Sequence, residues 1–222
     1  MELILFILII ILPLIADIFV RANYSINLKK ENSKGMTGAE IARKILDKNG
    51  LSNIYVVATN GYLTDHYDPK RKVIRLSKDV YEGSSVSSMA IASHECGHAI
   101  QDKVGYSFMR IRAALVPFVN LVNKLGYVVL IISVFAGVTG YLKISIFMLL
   151  ASLLFQLVTL PVEFDASKRA KEELTNLQLI DREEYKGVSN MLKAAAFTYV
   201  AGVLNSLLQL LRLIIMLNDR RD

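Results

Sequence analysis

The chain has 222 residues, a formal net charge of +6 and 53% hydrophobic residues, and its mean hydropathy of +0.40 is high for a soluble protein. This length accommodates one soluble domain together with membrane segments. The single cysteine excludes a disulfide within the chain. The sequence carries no basic-aromatic module or nucleic-acid-binding motif, so we expect no nucleic-acid partner. The positive charge suits contact with the anionic lipids of a bilayer instead.

The hydrophobic residues are concentrated in apolar blocks. The block at 3–20 is long enough to cross a hydrocarbon core of about 30 Å as a helix. It begins with Met1-Glu2 where a signal peptide has basic residues, and no small-x-small cleavage site follows it. We therefore predict that residues 1–20 form a retained transmembrane anchor. The other apolar blocks are residues 114–139, 144–162 and 194–217.

Basic residues are distributed unevenly between the connecting segments. Residues 21–112 carry 15 Lys and Arg and residues 163–194 carry six more, whereas the short turn at 140–143 has only Lys143. Cytoplasmic segments of membrane proteins are enriched in Lys and Arg. We therefore place residues 21–112 and 163–194 in the cytoplasm, and the N-terminus and the 140–143 turn outside.

The segment after the anchor has the pattern of a small α+β domain. Residues 22–34 are polar and are predicted to be a connector. A capping box that begins at Thr37 predicts the start of a helix with one apolar face. β-branched and aromatic residues then predict three short strands, with a tight Asn-Gly turn between the first two, at 53–59, 62–64 and 72–77.

A helix is predicted from about residue 86 to residue 103, and it contains the sequence His94-Glu-Cys-Gly-His98. Residues four apart lie on one face of a helix, so His94 and His98 point the same way. Two such imidazoles can bind one Zn²⁺ at about 2.0–2.1 Å each, and Glu95 beside them can act as general base toward the attacking water. The chain has only three histidines, so coincidence explains this spacing poorly.

Two small residues inside the motif are assigned structural roles. Cys96 is offset by two residues from each histidine, which turns its thiol away from their face, so we interpret it as a packed residue. Gly97 in the middle of a helix costs about 1 kcal/mol relative to alanine. Its presence predicts that a strand or another helix approaches the motif closely at this point.

Only a short turn separates the next two apolar blocks, so residues 113–162 are predicted to form a transmembrane helical hairpin. The hairpin returns the chain to the side that it left. A catalytic zinc site with two histidines needs a third protein ligand and keeps its fourth position for water. Glu163 and Asp165 are the first acids after the hairpin, and we favour Glu163 as the ligand. The alternative for Glu163 is an ordinary acid that favours the start of a helix.

The C-terminal part is predicted to be helical. Residues 163–193 are charged and form a cytoplasmic segment with a break around 176–181. Residues 194–222 form an apolar helix that either spans the membrane or lies in its interface. Spanning would put Arg220 and Arg221 outside, against the basic bias, so three and four spans both stay open. One face of this helix groups Asn205, Gln209 and Arg212.

Three segments carry a family resemblance: LTDHYDP at 63–69, HECGH at 94–98 and LPVEFDA at 160–166. Together they resemble the neutral zinc metallopeptidase family of the bacterial YugP type, over nearly the whole chain. The plan is similar to that of the HtpX-type and CAAX prenyl-protease membrane gluzincins. The resemblance implies an integral protein of the bacterial inner membrane, and the charge distribution turns its active site toward the cytoplasm.

The resemblance also assigns residues: His94, His98 and Glu163 as zinc ligands and Glu95 as catalytic base. Gluzincins commonly place an acid four residues after the glutamate ligand, where it orients a histidine. Here Ser167 occupies that position. Three other residues are candidates for orienting the ligands or stabilising the oxyanion, namely Asp165, His66 and Tyr199.

The predicted fold class is an α+β membrane protein with two parts. One part is a zincin-like cytoplasmic domain at 21–112, in which a small sheet precedes the motif helix. The other part is a mostly helical transmembrane region. The predicted function is a zinc-dependent metalloendopeptidase that cleaves membrane or membrane-proximal proteins, with the lipid bilayer and a protein or peptide substrate as partners. The alternative is a non-catalytic membrane scaffold with a structural zinc site. A structural zinc site does not need a catalytic glutamate such as Glu95, and it usually has four protein ligands. A transporter is disfavoured because the apolar blocks lack paired charges and broken repeats.

Overall fold

A computed structural model describes residues 2–135 and 141–218 of the chain. Within these residues the protein is mostly helical and has one small sheet, which confirms the prediction that helices are combined with a small sheet. The first half contains α1 (Glu2–Leu28), α2 (Gly38–Lys48), β1 (Tyr55–Thr59), β2 (His66–Asp68), β3 (Val73–Ser77) and α3 (Lys78–Tyr81). The second half contains α4 (Val86–Lys103), α5 (Ser107–Phe135), α6 (Tyr141–Asn176) and α7 (Arg182–Asn218).

The described chain divides into two compact units. The helical unit takes residues from 1–17, 107–161 and 197–222, and the mixed unit takes residues 18–106 and 162–196. Helices α1, α6 and α7 supply residues to both units. The sheet and the His-Glu-Cys-Gly-His sequence belong to the mixed unit.

Three helices of the described residues are long and apolar enough to cross a membrane: α1, α6 from Lys143 onward, and α7 as far as Met216. At most 17% of their most apolar stretches is buried inside the protein, so these helices present apolar side chains outward. Such surfaces are stable in lipid. The C-terminal helix therefore has the length and composition of a span. The end of the predicted 114–139 arm and the start of the 140–143 turn lie outside the described residues.

Helix α1 is longer than the predicted anchor. It continues to Leu28, so the first part of the segment at 22–34, predicted to be a connector, is helical. The polar side chains of this part are accommodated within the helix, because Asn23 and Asn27 each donate a hydrogen bond to the carbonyl four residues earlier, at 2.9 Å. The predicted break around 176–181 is confirmed, because α6 ends at Asn176 and α7 begins at Arg182.

The sheet has the order β1-β3-β2, which differs from the predicted hairpin. Strand β1 pairs with β3 in parallel, and β2 pairs with β3 antiparallel. The predicted strand at 62–64 is wrong: the second strand is His66–Asp68, and it lies on the far side of β3. Parallel strands must be joined by a crossover connection, so the chain between β1 and β3 does not form a tight hairpin against β1. Tyr67 anchors β2, because its hydroxyl donates a 2.8 Å hydrogen bond to Asp102 of α4.

The core of the mixed unit is built around α4. Helix α2 begins with the predicted capping box, in which Thr37 and Glu40 satisfy each other's backbone N–H groups. Its apolar face is completely buried and packs on α4, which is itself buried along most of its length. Each buried aliphatic side chain contributes about 1.5–3 kcal/mol. The residues of that face are those the sequence indicated: Ile41, Ile45 and Leu46.

Candidate metal centre

Helix α4 presents its two histidines side by side. The helix runs from Val86 to Lys103, as predicted, and Ser85 caps it by accepting a 3.0 Å hydrogen bond from the backbone N–H of Ser88. The ring centroids of His94 and His98 are 4.7 Å apart, and the rings are nearly perpendicular at 82°. One turn of helix therefore brings both imidazoles to the same point.

Glu163 of α6 meets both histidines. Its side chain is only 3% exposed, and Oε2 lies 3.2 Å from Nε2 of His94 and 3.5 Å from Nε2 of His98. One donor atom from each residue lies within 4.8 Å of the other two. The predicted ligand residues are thus brought together from two helices.

The chemistry of this group fits zinc. Imidazole nitrogen and carboxylate oxygen are donors that Zn²⁺ binds in proteins, and three protein ligands are typical of a site that keeps one position open. The electrostatics agree. Burial alone would lower the pKa of His98, but its hydrogen bond to Glu163 and the charges of Glu95 and Glu163 raise it. A site that favours a cationic imidazole is one in which positive charge is stabilised.

Gly97 allows α6 to lie directly against the motif. A Cβ atom at this position would be 2.5 Å from the backbone carbonyl oxygen of Ala166. Any side chain larger than hydrogen would therefore push the two helices apart. The predicted close approach at Gly97 is confirmed, and the approaching element is the helix that carries Glu163.

Gln101 orients His98. Its Oε1 lies 3.0 Å from Nδ1 of His98, while its Nε2 donates to the carbonyl of Val162 at 2.7 Å and to Oδ2 of Asp165 at 2.9 Å. Both of those partners accept hydrogen bonds only, so the amide NH₂ must face them and Oε1 must face the ring. The Nδ1–H of His98 then donates to Oε1, which leaves the lone pair of Nε2 facing Glu163, where a metal ion would bind.

Among the described residues, Asp165 bonds Gln101 rather than a histidine. Its carboxylate accepts from Gln101 and also from Nε of Arg169, at 2.6 Å. Sequence reasoning named Asp165 as a candidate for orienting the histidines but missed Gln101. The sequence signal for Gln101 was its position three residues after His98, because this spacing places both side chains on one face of the helix.

Ser167 is the partner of His94. Its Oγ lies 3.3 Å from Nδ1 of His94. With the proton on Nδ1, the ring donates to the serine hydroxyl and turns Nε2 toward Glu163. Ser167 therefore contacts a histidine from the position where many gluzincins have an acid. The two histidines have different partners at Nδ1, an amide for His98 and a hydroxyl for His94.

Glu95 lies beside the ligand group and is 7% exposed. Among residues 2–135 and 141–218, no group donates a hydrogen bond to its carboxylate, so both oxygens can accept a proton or a hydrogen bond from another molecule. Asp65 is a nearby acid that the sequence did not single out for the site. Burial raises the pKa of Asp65, hydrogen bonds from Ser77 lower it, and the charge of Glu95 raises it. The region around Glu95 is therefore electronegative.

The other candidate residues lie outside the donor group. His66 is exposed on the edge strand β2, and its Nδ1 is 2.8 Å from the carbonyl oxygen of Thr64. Tyr199 is on α7 in the helical unit. Cys96 is fully buried, with Sγ 3.6 Å from the carbonyl oxygen of Ala42 on α2. Burial, reinforced by the charge of Glu95, raises the pKa of this thiol well above its usual value. The interpretation of Cys96 as a packed residue agrees with this environment.

Comparison with known proteins gives the same family as the motifs. A sequence profile described as "Putative neutral zinc metallopeptidase" matches residues 2–218. The protein named "Putative membrane protease YugP" of Bacillus subtilis (strain 168) is 42% identical over 207 residues, which cover 93% of this chain and 92% of that protein. No solved structure matches the chain significantly. Since the profile covers nearly every residue and the relative aligns along almost its whole length, the chain belongs to the neutral zinc metallopeptidase family.

Proposed function

We propose that this protein is a zinc-dependent metalloendopeptidase that hydrolyses peptide bonds in membrane or membrane-proximal proteins. The observation that carries the proposal is the convergence of His94, His98 and Glu163, whose donor atoms lie within 4.8 Å of one another beside the carboxylate of Glu95. Membership of the metallopeptidase family and the similarity to a membrane protease support it.

His94, His98 and Glu163 would hold the ion. When bound, Zn²⁺ lowers the pKa of a coordinated water and polarises the scissile carbonyl. The described residues contribute three donors rather than the four that are usual in structural zinc sites, which favours an enzyme over a scaffold. The zincin-like character of the mixed unit rests on this donor set and on the motif helix.

Glu95 would manage the protons of the reaction. It follows His94 directly in α4, and its carboxylate has no hydrogen-bond donor among the described residues. It accepts the proton of the attacking water and passes it to the leaving amine. A general base of this kind contributes typically about 10²–10⁴-fold to the rate. Gln101 and Ser167 keep the histidine rings in place during these steps, and His66 is proposed as a candidate for hydrogen-bonding the oxyanion.

Strand β2 offers a place for an extended substrate. It is an edge strand of the sheet, and Tyr67 ties it to Asp102 on the motif helix. An extended peptide can add to such an edge through backbone hydrogen bonds. His66 is exposed on this strand, so its side chain is available to a bound peptide.

The membrane would bring substrate and site together. Helix α6 has the length and composition of a membrane span. The part of α6 that belongs to the helical unit ends at Pro161, and Glu163 lies two residues further along the helix. Residues 21–112 and 163–194 are rich in Lys and Arg, which favours a cytoplasmic location for them. We therefore propose an inner-membrane protein whose active site faces the cytoplasm and receives peptide segments near the bilayer.

The test compares wild-type protein with Glu95→Gln, purified in detergent with the membrane helices intact. Zinc content is measured by inductively coupled plasma mass spectrometry, and activity is measured with a quenched fluorescent peptide library and on isolated membranes by proteomics. Glu95→Gln should keep its zinc and lose cleavage by about 10²-fold or more. The matched control is Glu172→Gln, an exposed glutamate of the same unit, which should change neither. Cleavage by Glu95→Gln at the wild-type rate would overturn the catalytic role of Glu95.

A further inference from the structure

The helical unit contains a cavity that the proteolytic reaction does not use. Side chains from α1, α5, α6 and α7 line it, and its volume is about 350 Å³. Its walls are predominantly apolar, with a few polar groups among them. Sites for small organic molecules have this composition and commonly measure about 300–1,000 Å³.

Arg212 is the charged group of this cavity. Its guanidinium lies over the ring of Phe6, 5.0 Å from the ring centroid, and its Nε is buried without a hydrogen-bond partner. Among the described residues no carboxylate lies within salt-bridge distance of Arg212. A cation among membrane helices is costly unless a counter-charge or water compensates it. The cavity is therefore suited to an anion.

The polar side chains around Arg212 are neutral hydrogen-bonding groups. Asn123, Ser145, Ser152 and Gln209 contribute amides and hydroxyls to the same lining. Together with the guanidinium they can donate to several oxygen atoms of one group. Arginine matches the geometry of phosphate through paired N–H donors, and hydroxyl and amide groups suit phosphate and ester oxygens.

The helices around the cavity point to a lipid rather than to a soluble anion. Among the described residues, three of these four helices, α1, α6 and α7, have the length and composition of membrane spans. Phe6, Ser152 and Arg212 line the cavity from these three helices. An anion that reaches a cavity among membrane helices from the bilayer carries acyl chains, and a cationic group beside apolar walls suits such an amphiphile.

We propose that this cavity is a phospholipid-binding site. The lipid phosphate binds the guanidinium of Arg212, the neighbouring amides and hydroxyls hold the remaining headgroup and ester oxygens, and the first part of an acyl chain lies against the apolar walls. The bound lipid supplies a counter-charge that no described residue gives to Arg212, and it joins four helices at one point.

The first experiment measures lipid retention. Full-length protein is extracted in a mild detergent and washed with a detergent that carries no phosphate, and native mass spectrometry records the lipid that stays bound. Wild-type protein should retain a single phospholipid, and Arg212→Gln should lose at least nine-tenths of it. Arg110→Gln removes an exposed arginine of the same unit and should retain lipid as wild type does. Equal retention by Arg212→Gln and wild type would overturn the proposal.

A second variant separates lipid binding from folding. Ser152→Leu fills the cavity and leaves Arg212 in place, so it should also lose the lipid. Zinc content and thermal unfolding together report whether each variant has folded, because the ligand residues lie in the mixed unit and the two substitutions lie in the helical unit. If Ser152→Leu and Arg212→Gln both keep their zinc and lose the lipid, the site is the cavity. If Ser152→Leu keeps its zinc and binds lipid as wild type does, the cavity is not the site.

A thermal-shift series identifies the chemistry of the ligand. Delipidated wild-type protein should be stabilised by phosphatidylglycerol in mixed micelles, but by neither diacylglycerol, which has no phosphate, nor millimolar inorganic phosphate, which has no acyl chain. Stabilisation by inorganic phosphate to the same extent would make this a site for free anions. Stabilisation by diacylglycerol to the same extent would mean that Arg212 does not recognise the phosphate, and either result would overturn the proposal.

Discussion

Oε1 of Gln101 lies 3.0 Å from Nδ1 of His98, the ring nitrogen opposite to the one that faces Glu163. The same amide donates to Val162 and Asp165 on α6, so one side chain both selects the tautomer of His98 and connects α4 with α6. The orientation of His98 and the position of Glu163 are thereby coupled. A change at Gln101 should affect the metal site through geometry, without removing a ligand.

Replacing Gln101 by alanine should lower zinc affinity by about 10–100-fold, the usual effect of losing a group that orients a histidine ligand. The loss also leaves the buried carbonyl of Val162 without this donor. Zinc affinity is measured by competition with a chromophoric chelator. Asp102→Ala is the matched control, because the neighbouring side chain binds Tyr67 and Lys72 rather than a ligand. If Gln101→Ala binds zinc as tightly as Asp102→Ala does, Gln101 has no orienting role.

Replacing Ser167 by alanine should weaken zinc binding by a smaller amount. One hydrogen bond from Nδ1 of His94 to a neutral hydroxyl is lost, which is worth about 1 kcal/mol or roughly fivefold in affinity. Ser167→Asp supplies a carboxylate acceptor at the same position and should restore or exceed wild-type affinity. Ser93→Ala serves as control, since the Ser93 hydroxyl bonds only the Ala90 carbonyl of its own helix. Equal affinities for Ser167→Ala and wild type would show that another group orients His94.

Replacing Gly97 by alanine should damage both stability and metal binding. The added Cβ would lie 2.5 Å from the backbone carbonyl of Ala166, and backbone cannot move aside as a flexible side chain can. Overpacking of this kind typically costs about 1–3 kcal/mol. Because the displaced helix carries Glu163, zinc affinity should fall together with the melting temperature.

The control for this prediction is Gly202→Ala on α7, where the nearest atom to the new Cβ is 3.7 Å away. That substitution should be neutral or slightly stabilising, because alanine favours a helix by about 1 kcal/mol over glycine. Thermal unfolding and chelator competition measure the two effects. A Gly97→Ala variant with wild-type stability and zinc affinity would contradict the close contact between α4 and α6.

Cys96 should be unreactive in the folded protein. Burial raises the pKa of its thiol, so the reactive thiolate is scarce, and no part of the side chain is exposed. Modification by 5,5′-dithiobis(2-nitrobenzoic acid) should therefore be slow until the protein is denatured. Cys96→Ser should retain its zinc, since Sγ contacts the carbonyl of Ala42 and lies outside the donor group. Rapid modification of native protein, or loss of zinc in Cys96→Ser, would refute this assignment.

Elements with local signals were predictable from the sequence. The capping box of α2 is contained in four residues around Thr37, and the Ser85 cap of α4 acts on Ser88. Helical periodicity placed Ile41 and Ile45 on a buried face. These features depend on residues that are a few positions apart in sequence, so they can be predicted without knowing what the helix packs against.

The sheet shows where local signals fail. Asn60-Gly61 is a strong hairpin pattern, yet β1 pairs in parallel with β3, and the second strand begins only at His66. Strand pairing depends on contacts between residues that are distant in sequence, and one such contact of β2 is the hydrogen bond from Tyr67 to Asp102, 35 positions away. A turn signal alone cannot choose among partners that are far apart in sequence.

The candidate site also combines features that are local in sequence with features that depend on contacts between distant residues. The sequence by itself determined that His94 and His98 share a face and that Glu95 lies beside them, because one turn of helix sets that geometry. Only the tertiary structure decided that Glu163, 69 positions from His94, reaches both rings, and that Gln101 and Ser167 orient them. The physical reason is the contact of Gly97 with Ala166, which brings α6 close enough to α4 for side chains of both helices to meet.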